Sequence, residues 1–94
     1  MKNVTVINPG EAGYTTEVQG EPRLEELQRA VGGYIEVVPG FTRFEGKRCI
    51  TYANEDGQVA PVLPFNEVAT RLWREQFKTN QNIHGAVVIV ENIK

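Results

Sequence analysis

The chain has 94 residues, 40% of them hydrophobic and 23% charged, and a formal charge of −2. That length supplies one hydrophobic core, and that composition is globular and excludes intrinsic disorder. Its ten Lys and Arg residues are scattered among twelve acidic ones, so no basic block tracks a nucleic-acid backbone, and the charge is too small to imitate a duplex carrying roughly one charge per 1.7 Å.

Val4-Thr5-Val6-Ile7 is rich in β-formers and is stopped by Asn8-Pro9-Gly10, which predicts a first strand and a turn. Tyr14 to Val18, bounded by Gly13 and Gly20, is a polar β-prone run that suits an edge strand. From Glu21 to Val31 the residues Leu24, Leu27 and Val31 fall on one helical face, with Pro22 in the first turn and Gly32-Gly33 as the stop. Tyr34 to Val38 then reads as a central strand ending at Pro39-Gly40.

Phe41 to Glu45 passes through Gly46 into Lys47 to Ala53, a predicted hairpin, and Asn54-Glu55-Asp56-Gly57 makes a tight turn toward a returning arm at Gln58 to Leu63. Pro64-Phe65-Asn66 opens a second helix, with Asn66 as its cap and Val68, Ala69, Leu72, Trp73 and Phe77 as its apolar stripe. Ala86 to Val90 is the most hydrophobic run and predicts a strand buried on both faces. Together these elements predict a single α+β domain, residues 1–94, with a mixed or antiparallel sheet of about five strands and two helices on one face. A domain so small is expected to form a homo-oligomer.

Three stretches also resemble a known family: Leu24 to Val38 with its Gly32-Gly33-Tyr34-Ile35-Glu36 junction, Leu63-Pro64-Phe65-Asn66 with Ala69-Thr70, and His84 to Val90. They look like the domain-of-unknown-function family numbered 3846, small domains of phages, plasmids and bacteria. The resemblance implies a mobile-element setting and supplies no reaction, cofactor or site residue.

Several side chains are candidates for ligand binding, each beside a structural alternative. Glu36 in a β-run faces solvent, a cleft or a partner cation, with Tyr34 on the same side by the period of two. Arg43, Lys47 and Arg48, interleaved with Phe41 and Phe44, could hold a phosphate and stack a base, or form a solvated hairpin. Asn66 caps a helix whose free amides, with Arg71, would suit an anion. Arg71 and Arg74 share a helix face and could instead pair with Glu67 and Glu75. His84 is the lone histidine, in a loop, and has no Cys or acidic neighbour at metal-ligand spacing.

No metal or cofactor is expected. Ser is absent, and Cys49, in an apolar alternation, reads as a small buried residue without a catalytic base. Met1 to Ile7 is too short for a signal-peptide core and no run is long enough to span a membrane, so a cytoplasmic protein is expected. The mobile-element setting that the resemblance implies, together with small size, expected oligomerisation and mixed arginine, aromatic and carboxylate character, favours a non-catalytic protein that sequesters a small nucleotide-like signal, through Tyr34, Glu36, Arg43, Arg48, Asn66, Arg71, Arg74 and His84, as a phage counter-defence protein would. The alternatives are a module that blocks a host protein through an exposed strand or the Trp73 helix, and a small hydrolase.

Overall fold

The computed structural model describes residues 2–57 and 63–91. Its elements are β1 (Lys2–Ile7), β2 (Tyr14–Val18), α1 (Leu24–Val31), β3 (Ile35–Val37), β4 (Arg43–Phe44), β5 (Lys47–Asn54), α2 (Glu67–Arg74) and β6 (Val87–Glu91). The expected α+β class is what the chain adopts. The sheet is wholly antiparallel, in the order β2-β1-β6-β5-β3, with β4 paired to β5 as a sixth strand. The expected returning arm, Gln58 to Leu63, lies outside the described residues except for Leu63.

Strand β6 holds the centre because its residues are apolar without alternation. Val88 and Val90 point to one face, where they join Val4, Val6, Leu27 and Val31 beneath α1. Val87 and Ile89 point to the other, with Ile7, Phe41, Ala53, Ala69, Ile83 and Trp73 beneath α2. The helices therefore lie on opposite faces, which corrects the expectation of one shared face: a strand apolar on both sides needs cover on both.

Two further expectations change. The Tyr34 to Val38 run is not central, because among the described residues β3 pairs only with β5, and its Glu36 and Val37 are exposed. The first helix starts at Leu24, so Pro22 precedes it and Leu24 is exposed; Leu27 and Val31 carry its contact with the sheet.

Local chemistry fixes the ends. Gly32 at φ 78° closes α1 in the left-handed conformation that only glycine adopts without strain. Glu45 and Gly46, both at positive φ, form a two-residue link between β4 and β5, matching the right-handed twist of a hairpin. Asn54 Oδ1 accepts from Asp56 N at 2.9 Å and turns the chain out of β5. Phe77 lies beyond the end of α2, its ring stacked on Trp73 at 5.8 Å between centroids.

Candidate functional site

The eight candidate residues do not converge on one cleft. They divide among five places, and the division follows from the sheet register and the two helix positions.

Tyr34 is exposed at the exit of α1, where it borders a shallow hollow of about 550 Å³ with Glu25, Gln28, Arg29, Gly32 and Gly33. Glu36 lies on the opposite side of the molecule, in a hollow of about 240 Å³ shared with Val37, Val38, Pro39, Trp73 and Gln81. Partial burial holds the Glu36 carboxyl above the ordinary glutamate value of 4.5, and the charge of Glu55 pushes it the same way. Trp73 is not free to stack on a ligand: it is buried, and its Nε1 donates to Pro39 O at 2.7 Å.

Arg43 and Arg48 face each other across the β4–β5 pair. Both are exposed, and Gln76 clips the Arg43 backbone to the end of α2, accepting from Arg43 N and donating to Arg43 O, both at 2.9 Å. Phe41 is buried, and Phe44 packs against the α2-side core, so neither ring is offered to a ligand there.

Asn66 is fully buried and its side chain is committed to the fold. Its Oδ1 accepts from Ala69 N at 3.1 Å, while Nδ2 donates to Ile7 O and Gly85 O, both at 2.9 Å. Both amide hydrogens are used and the side chain is sealed from solvent, which removes Asn66 from the candidate set.

Arg71 and Arg74 remain, and they are together. With Phe65, Glu67, Thr70 and Glu75 they line a recess of about 300 Å³ on the outer side of α2. The guanidinium of Arg74 is oriented by the following loop: its Nη2 donates to Asn80 O at 3.2 Å and Gln81 O at 3.3 Å. Among the described residues the ion pairs are Lys2–Glu21 and Lys47–Glu91, so neither Arg71 nor Arg74 is neutralised by Glu67 or Glu75. His84 meets Phe65 across an antiparallel bridge, with the rings 5.9 Å apart, and its Nδ1 is 3.1 Å from Leu63 O.

Phe65 is the residue that sequence reasoning passed over as a mere helix opener. It is 48% exposed. The clue was Thr70: an apolar residue just before a helix cap usually packs on the fourth helical residue, and that position here is polar and buried, its hydroxyl accepting from Ile83 N at 2.9 Å. The ring consequently has no apolar staple and lies open beside two arginines.

The recess offers two cations, an aromatic face and two carboxylates within one concavity, which is chemistry for holding a phosphorylated ring compound. No group of three or more His, Cys, Asp or Glu side chains suited to a metal ion occurs among the described residues. No helix among them is long and apolar enough to cross a membrane.

Over residues 1–94 the sequence matches the family described as Domain of unknown function (DUF3846). The chain belongs to that family. No curated protein was found to match it. No solved structure was found to match it either. The family description carries no activity.

Proposed function

We propose that this DUF3846 protein binds a small nucleotide-like phosphate ligand at the Phe65–Arg71–Arg74 recess and holds it without converting it. The observation that carries the reading is the pair of guanidiniums in one concavity with an exposed aromatic ring, neither of them paired with a carboxylate among the described residues. Arginine is suited to phosphate because its planar fork makes two parallel charge-assisted bonds. Arg74 enters the encounter already oriented, which lowers the ordering cost of binding.

In this reading Arg71 and Arg74 take the phosphate oxygens and Phe65 stacks on the base. Glu67 and Glu75, which also line the recess, accept hydrogen bonds from ribose or base donors and disfavour ligands that are phosphate alone. Retention of a signalling nucleotide fits the mobile-element setting that the family resemblance implies, where a small protein that removes a host defence signal acts by stoichiometry.

Calorimetry and thermal-shift measurements against mono-, di- and cyclic nucleotides and ADP-ribose derivatives test the reading, with mass spectrometry of the mixture afterwards. Saturable binding with the ligand recovered intact supports it. A converted ligand means an enzyme, and no binding by any member of the panel moves the assignment to a module that acts on another protein.

A further inference from the structure

The side of the sheet that carries α1 is only partly covered. On that face the register places Val37 directly opposite Tyr52, with Ile50 two residues along the same strand; Val37 is 57% and Ile50 43% exposed. Just beyond Ile50, Arg48 stands directly opposite Arg43 on the same face. Like charges so placed repel, and among the described residues no ion pair reaches either one. The fold thus keeps an apolar patch rimmed by two uncompensated cations.

The same side of the molecule carries the complementary feature. Leu24 in the first turn of α1 is 56% exposed. Of the acidic residues around that turn, Glu21 is paired with Lys2, and Glu26 Oε1 accepts from Arg23 N at 3.3 Å. Glu25 has neither engagement, and it is exposed beside Leu24. An apolar side chain next to an unpaired carboxylate matches an apolar patch next to two unpaired guanidiniums.

We propose that this side is the interface of a homodimer, in which Leu24 and Glu25 of one copy meet Val37, Ile50 and the Arg43–Arg48 pair of the other. Both halves of the contact lie on one side of the sheet, so a two-fold axis makes it twice and closes the assembly at two chains. Each guanidinium pair then gains the carboxylate it lacks among the described residues of its own chain, and the exposed aliphatic residues leave water. The phosphate recess is on the opposite, α2 side and does not depend on this contact.

The test is sedimentation velocity of the full chain and its charge variants over a wide concentration range. The wild type is expected to dimerise. Arg48→Glu and Glu25→Arg should each weaken association by at least about tenfold, the size expected for one close charge pair, and the double variant should recover it. Ile50→Glu should give a monomer. Arg48→Glu also relieves the Arg43–Arg48 repulsion within the chain, so circular dichroism should show it folded. A wild type that stays monomeric at millimolar concentration overturns the proposal and leaves the patch to another protein. A dimer indifferent to these substitutions overturns it too, as does a double variant no better than the single ones.

Discussion

The side-chain amide of Asn66 donates to the backbone carbonyl of Ile7 over 2.9 Å, joining residues 59 positions apart. Its second hydrogen goes to Gly85 O, and its oxygen caps α2 through Ala69 N. One buried amide therefore ties the end of β1, the entrance to β6 and the start of α2 into a single node. The recess built on α2 inherits its position from that node, because Phe65 is the residue immediately before it.

Asn66→Asp should be among the most damaging single changes in the chain. It keeps the cap oxygen but points a second oxygen at two carbonyls, leaving both without a donor. Unsatisfied buried acceptors cost about 1–3 kcal/mol each, so a loss of about 2–6 kcal/mol is expected in urea unfolding. Asn66→Ser, which keeps a cap acceptor and adds no charge, should lose less.

For the recess, Arg71→Ala and Arg74→Ala should each weaken nucleotide binding by about ten- to hundredfold, the range for one charge-assisted hydrogen-bonding group. Thermal unfolding should move little for Arg71→Ala, whose side chain is exposed and outside any ion pair among the described residues. Binding that survives both substitutions unchanged would remove the recess as the ligand site.

Much of the fold was legible because it is written in local patterns. The unbroken apolar run of β6 announced a strand buried on both faces, Gly32 announced the end of α1, and Asn66 announced the cap of α2. Strand order was not legible, since the period of two tells which side chains share a face and not which strand lies alongside. Ile35 and Val37 looked like the inner face of a central strand, yet β3 is an edge strand that α1 covers only in part. The placement of the helices could have been deduced: two apolar faces on β6 and two helices leave one helix for each.

The recess was half legible. Arg71 and Arg74, three apart on a helix, had to share a face, and they do. Phe65 was hidden by its role at a helix entrance, and only its missing apolar partner at Thr70 marks it. Arg43 and Arg48 were grouped with the ligand residues on composition, whereas the register sets them on the other side of the sheet.

The raised Glu36 pKa makes stability depend on pH with a definite sign. Because the folded state holds the proton more tightly than the unfolded chain, stability is fully present below the ordinary value of 4.5 and is lost as pH rises through the folded value. Glu36→Gln should abolish that loss, so the melting temperature of the variant should exceed that of the wild type at neutral pH and converge with it in acid. Curves that stay parallel across the range would mean that Glu36 is not responsible.

Cys49 should behave as a packing residue. Burial pushes its thiol above the ordinary value of 9.0, the nearby Glu91 adds to the rise, and the contact with Thr51 opposes them. The sulfur also lies 3.9 Å from Phe41 O inside the α2-side core. Alkylation by iodoacetamide at neutral pH should accordingly be slow in the native protein and fast in denaturant. Rapid native labelling would show that this core opens readily.

Gly33 gives the sharpest test of the junction between α1 and β3. A Cβ at that position would stand 2.8 Å from Asn54 Nδ2. Asn54 has little room to retreat, because it is buried, its Nδ2 donates to Val31 O at 3.1 Å and its Oδ1 holds the turn at Asp56. Gly33→Ala must therefore displace either the β3 backbone or a buried hydrogen-bonding side chain, at about 1–3 kcal/mol by analogy with overpacked cores. Pairing it with Asn54→Ala separates the two causes. If steric conflict with Asn54 is the reason for glycine, the second substitution should make the first nearly harmless, and in a double-mutant cycle the coupling should approach the whole cost of Gly33→Ala. Additive losses would mean instead that conflict with Asn54 is not the reason for glycine there.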